Sequence, residues 1–126
     1  MQPVLFGLGH GIAEAMIILV PAFMIAPLSQ LWLAILERAL AIVLHVTLTI
    51  VVWNGFQRQR RVLYLLAAIA IHGVVDSLIP ILMPLADAVL LIEGALAAID
   101  VLLIVYAIRS TKYYIPRRIQ NEEVKV

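Results

Sequence analysis

Four stretches of about twenty apolar residues, separated by short breaks, constrain this 126-residue chain more than anything else in it. The first runs from about Val4 to Ala26, the second from Leu31 to Trp53, the third from Val62 to about Leu82 and the fourth from about Ala86 to Ile108. At 1.5 Å per residue each makes a helix of roughly 30 Å, long enough to cross the hydrocarbon of a bilayer. The whole chain is 64% hydrophobic and 13% charged, with a mean hydropathy of +1.07. A soluble domain of this size must turn much of its surface to water and could not hide so much apolar area. The expected fold is therefore all-α, a multi-pass transmembrane bundle of four spans over residues 1–108, followed by a polar tail over 109–126.

The breaks are chemically legible. Pro3 suits a first helical turn, and Pro21 is expected to kink the first span near its far end. Pro27-Leu-Ser-Gln30 reads as a tight turn, Asn54-Gly55 as the end of the second span, and Pro80 with Pro84 as the close of the third. The first stretch is not expected to be a cleaved signal, because no basic segment precedes it and His10 and Glu14 interrupt its apolar run. With no cysteine, thiolate chemistry, disulfides and iron–sulfur clusters are excluded. The basic residues are few and sit where membrane topology explains them, so no nucleic-acid partner is expected.

Of nine Lys and Arg residues, Arg58, Arg60 and Arg61 lie in the connector between spans two and three, and Arg109, Lys112, Arg117, Arg118 and Lys125 lie in the tail. The positive-inside rule then places the connector and both termini in the cytoplasm of a cell-membrane protein. Tyr113 and Tyr114 fit an aromatic belt at that interface.

Against this background the polar residues inside the spans stand out. Six of the eight acids (Glu14, Glu37, Asp76, Asp87, Glu93 and Asp100), all three histidines (His10, His45 and His72) and Arg38 fall in the apolar portion. A charge at mid-membrane costs roughly 2.5–3.5 kcal/mol even on a lenient scale, so such groups turn toward protein or water. His10 and Glu14 are four residues apart, as are His72 and Asp76; Arg38 and His45 are seven apart, as are Glu93 and Asp100. Each interval returns to one helix face, so every span is expected to carry a polar stripe and the four stripes to meet at one centre. Counted from the cytoplasmic ends, Glu14, His45 and His72 lie at roughly 12–17 Å, whereas Glu37, Arg38, Asp76 and Glu93 lie at roughly 20–24 Å. The first layer suits acid–base or ligand chemistry; the second suits an ion-pair network around Arg38, with Asp76, Glu93 or Glu37 as its partner.

Several of these residues have a plain structural reading. Asp87 is expected to cap the fourth helix, and Glu93 and Asp100 to serve as polar glue between helices. Arg38 is expected to hold a carboxylate whatever the function. Gly7-Leu-Gly-His-Gly11 is no nucleotide loop, since no strand precedes it and no lysine follows. Gly7, Gly11 and Ala15 form a small-residue ridge suited to close helix packing, and Gly94 with Ala98 repeats the pattern in the fourth span.

Gly9-His10-Gly11-Ile-Ala-Glu14, then Glu37-Arg38 followed by His45, then His72-Gly-Val-Val-Asp76, resembles the YhfC family of intramembrane peptidases, which is in turn similar to the CAAX prenyl endopeptidases. The resemblance extends from about Leu5 to Ala107. It implies hydrolysis of a peptide bond in a membrane-associated peptide or protein, with a catalytic glutamate on one span, a histidine on another and a His-x-x-x-Asn/Asp pair on a third. On that reading Glu14 activates water, His72 with Asp76 and His45 serve the reaction, and His10, Glu37, Arg38 and Glu93 support it. No cofactor is favoured, because no His-Glu-x-x-His helix is present; zinc held by His10, Glu14, His45 and His72 is the alternative. The Glu-Glu-x-x-x-Arg signature of the CAAX group is absent, and the relatives carry further N-terminal spans. The rival expectations are therefore a non-catalytic subunit or truncated copy working with another membrane subunit, or a proton or ion transporter built on the same buried acids and histidines.

Overall fold

The computed structural model describes residues 2–110. The polar tail beyond Ser110, with the expected belt at Tyr113 and Tyr114, lies outside the described residues. Four long helices follow one another: α1 (Gln2–Ile25), α2 (Trp32–Gln57), α3 (Arg61–Leu82) and α4 (Ala88–Ser110). All four are long and apolar enough to cross a membrane, and the described residues contain no strand. This is a multi-pass membrane protein. Pro27–Gln30 forms the expected tight turn, with Leu28–Gln30 as one turn of 3-10 helix closed by Gln30 N–H to Pro27 O at 2.9 Å.

The second helix runs past the Asn54-Gly55 pair that the sequence suggested would end it. Both residues are buried in packing instead. Asn54, 0% exposed, donates from Nδ2 to the Tyr106 hydroxyl on α4 at 3.0 Å. A Cβ on Gly55 would sit 2.5 Å from the Tyr64 Cβ of α3, so only glycine lets that ring approach. The helix stops three residues later through its own backbone. Arg60 N–H reaches Gly55 O at 2.8 Å and Gln59 N–H reaches Phe56 O at 3.2 Å, the crossed pair of a Schellman cap, with Gln59 in the left-handed region at φ 58°.

The helices do not close around one centre. α2 is the hub: α1 packs on it, α3 and α4 pack on it, and α3 touches α4 less, while α1 packs broadly on neither α3 nor α4. The apolar core of Leu44, Leu48, Ala68, Val75 and Leu96 belongs to α2, α3 and α4 alone. α1 is held by the small-residue ridge. A Cβ on Gly7 would stand 2.5 Å from the Val46 Cα, and one on Gly11 would stand 2.9 Å from the Ile42 Cα, so the two backbones meet directly. The matching expectation for α4 fails, since nothing lies within 4 Å of a Cβ built on Gly94. Asp87 does precede α4, and its carbonyl accepts from Leu91 N–H at 3.1 Å. Its φ of 63° departs from the extended backbone of a side-chain N-cap, and its carboxylate makes no capping bond among the described contacts.

Candidate active site

The site is assembled on α2. Arg38 and His45 are two turns apart on one face, the face that α1 approaches through Gly7 and Gly11. Because no side chain separates the backbones there, Glu14, three residues beyond Gly11, comes within reach of both. Arg38 Nη1 donates to Glu14 Oε1 at 3.0 Å, and His45 Nε2 meets Glu14 Oε2 at 3.0 Å. Arg38 Nη2 donates to the Glu37 carboxylate. The Arg38 side chain is 12% exposed, so its charge is almost wholly answered by these two acids.

Glu37 was among the expected partners of Arg38; Glu14 was not. Counting rise per residue put Glu14 and Arg38 in different layers, but an arginine side chain is long enough to bridge them. The two layers are therefore one network, with the Glu14 carboxylate as the joint.

The histidines form a row across three helices. The His10 ring centroid on α1 lies 4.6 Å from that of His45, and the His72 centroid on α3 lies 5.0 Å from it. His72 Nε2 stands 3.3 Å from Asp76 Oδ2 one turn along α3, as the i,i+4 spacing suggested. Pro80, inside α3, has no N–H for the Asp76 carbonyl, so that backbone acceptor is released from the helix ladder beside the same side chain. Asp76 is 65% exposed in its side chain, whereas His45 is buried.

The acids of α4 make no hydrogen bond to this network, although Glu93 lies within electrostatic range of Glu37 and Arg38. Glu93 keeps one buried carboxylate oxygen, and Asp100 both of its own, without a hydrogen-bond partner among the described residues. Asp100 is therefore not the interhelical glue expected of it, and Glu93 is tied to α2 only through the charges of Arg38 and Glu37. The polar bond that does tie α4 to α2, Asn54 to Tyr106, was missed because Asn-Gly reads as a turn in isolation.

Two cavities flank the row. One of about 270 Å³ is lined by Glu14, Arg38, His45, His72 and Asp76 among apolar neighbours from α3 and α4. The other, of about 520 Å³, lies toward the Arg58–Arg61 connector and is reached from His10, His45 and His72.

The donor set is compatible with a metal ion. His10, Glu14 and His45 each offer a ligand atom, all within 4.8 Å of one another. Two imidazoles and one carboxylate with a fourth position open are the ligands of a catalytic zinc site. At metal–ligand bonds of about 2.0–2.2 Å the three atoms would have to draw closer together than an upper bound of 4.8 Å. The exposed His10 side chain has room for such an adjustment.

The sequence matches the model of a family described as YhfC intramembrane metalloprotease over residues 19–105. The matched stretch contains Arg38, His45, His72 and Asp76, and begins beyond His10 and Glu14. No curated protein and no solved structure matches the chain. That match takes in more than half of the chain, including three of its four helices almost whole, and on it the chain belongs to the YhfC intramembrane metalloprotease family.

Proposed function

We propose that this chain hydrolyses a peptide bond of a membrane-embedded peptide or protein, with the reaction centred on Glu14, His45 and His72. The observation that carries the reading is the Glu14 carboxylate fixed from both sides, by Arg38 and by His45, at the wall of a cavity that also holds His72. A carboxylate immobilised in this way is oriented before substrate arrives.

The family description and the His10–Glu14–His45 donor set favour a metal-dependent reaction. Those three residues would hold the ion, and a zinc there supplies a polarising charge for the scissile carbonyl and an acidified water. Arg38, bonded to the Glu14 oxygen Oε1, would then orient a ligand from behind. His72 contributes on its own account. Nε2 stands 3.3 Å from Asp76 Oδ2, a contact that favours the tautomer with its proton on Nε2 and leaves Nδ1 to accept one. His72 thus suits taking a proton from the attacking water and passing it to the leaving amine, rather than donating to an oxyanion from the outset.

One observation favours a metal-free alternative. His45 directs Nε2 at Glu14 Oε2, a hydrogen bond in which the imidazole N–H donates and the carboxylate accepts. In that case Glu14 is the base that takes the proton of water, and Arg38 and His45 hold it in place. Either way the partners are a membrane substrate and the bilayer, and the basic connector supports cytoplasmic termini.

The test is cleavage of a tagged single-span peptide in liposomes by wild type and Glu14→Gln, each with and without chelator and with zinc added back. Cleavage lost in Glu14→Gln supports the reading. Chelation that stops the wild type, reversed by zinc, assigns His10, Glu14 and His45 to a metal, and indifference to chelator assigns Glu14 to the base. A well-folded protein that cleaves no membrane peptide would overturn the proposal.

A further inference from the structure

The two cavities share the wall made by the histidine row, and together they line a groove along α2. Both are lined by His45 and His72, one extending from them toward the Pro27–Gln30 turn and the other toward the connector. The groove exists because α1 and α3 each pack on α2 and not broadly on one another, leaving α2 as a floor between two walls. Its halves differ in character. The turn-side half contains Glu14, Glu37, Arg38 and Asp76. The connector-side half, larger at about 520 Å³, has no charged Asp, Glu, Lys or Arg in its lining; apart from the imidazoles and Thr49 it is walled by residues such as Phe6, Val52 and Ile69.

Resting on the peptidase reading above, we propose that the connector-side half is a side-chain subsite for a bulky apolar residue of the substrate, and that Gly73 sets its size. A peptide laid along the groove with its scissile bond at His45 and His72 must place its next residues against Phe6, Val52 and Ile69. Those walls offer an apolar side chain contact and offer a charged one no partner. Gly73 follows His72 on the α3 wall, and nothing lies within 4 Å of a Cβ built on it. Side-chain volume added there enters the groove and meets no part of the protein. Its glycine keeps that wall of the subsite bare, at a helix position where glycine itself is unfavourable.

Cleavage should be compared between a peptide with Leu or Phe on the connector side of the cut and one with Ala there. Wild type should prefer the bulky residue, and Gly73→Leu should reverse or erase the preference, lowering cleavage of the bulky substrate roughly tenfold or more while sparing the Ala substrate. Gly94→Leu, equally open but on the outer side of α4, is the control and should leave the preference intact. An unchanged preference in Gly73→Leu, or an equal fall on both substrates, overturns the proposal.

A second readout does not depend on turnover. The chain has no cysteine, so Gly73→Cys and Gly94→Cys are single-cysteine proteins. A Leu/Ala-rich single-span peptide carrying one cysteine should cross-link to the first and not to the second. Cross-linking without cleavage would sink the peptidase reading and keep the groove; cleavage without cross-linking at Gly73→Cys would sink the groove and keep the peptidase.

Discussion

The Arg38 guanidinium and the Glu14 carboxylate, on different helices and 24 residues apart in sequence, meet at 3.0 Å, and this one ion pair joins the chemistry of α1 to the frame of α2. Arg38→Met should therefore do two things at once. It removes the counter-charge of a partly exposed acid, and it releases the orientation that His45 alone cannot hold. The expected loss is about 1–3 kcal/mol of stability, less than for a fully buried pair because Glu14 is 33% exposed in its side chain. The double variant Arg38→Met, Glu14→Gln should recover part of it. Thermal unfolding in detergent for the four members of the cycle measures this; additive losses would show that the pair is not coupled.

The ridge on α1 gives a sharper mechanical prediction. Gly7→Val and Gly11→Val place branched side chains where the Val46 and Ile42 backbones already stand. Backbone cannot yield as a flexible side chain can, so each should cost at least about 1–3 kcal/mol and loosen α1 from α2. Gly9→Val, at a position with nothing within 4 Å, should be tolerated. Protease nicking between α1 and α2 reads the difference; equal behaviour of Gly9 and Gly11 variants would remove the ridge from the account.

Asp100 is 2% exposed and has no hydrogen-bond partner for either oxygen among the described residues. An unsatisfied buried acid is a cost, so Asp100→Leu should leave stability unchanged or raise it by about 1–3 kcal/mol. By contrast Tyr106→Phe removes the acceptor of the Asn54 bond and should cost about 0.5–1.5 kcal/mol. A large loss in Asp100→Leu would mean that the carboxyl is satisfied by something the helices themselves do not supply.

Apolar length and local spacing made most of the architecture legible. Four runs of about twenty residues gave four helices, and the i,i+4 pair His72 and Asp76 is in contact. Spacing within a helix says which side chains share a face, but it does not say what that face meets. Hence Glu14 meets an arginine that its depth along the helix does not predict, and Asp100, spaced like a stripe with Glu93, makes no hydrogen bond among the described residues. Asn54-Gly55 failed for a related reason. Turn propensity is local, whereas the fit of Tyr64 against Gly55 and of Tyr106 against Asn54 comes from helices that arrive later in the chain.

The pair on α3 separates roles within the site. If His72 accepts a proton through Nδ1 while Asp76 holds Nε2–H, the carboxylate matters through the ring and not through the substrate. Asp76→Asn keeps an oxygen that can accept the Nε2–H bond but loses the charge that stabilises the imidazolium. Cleavage should fall by roughly 10- to 100-fold, through kcat more than KM, with folding unaffected because Asp76 is exposed. His72→Gln removes the relay itself and should cost roughly 100-fold or more. The double variant should be no slower than His72→Gln alone, since Asp76 has nothing left to act upon. A further drop in the double variant would place Asp76 in contact with the substrate or the water. An Asp76→Asn protein as active as wild type would leave the 3.3 Å contact as helix packing and nothing more.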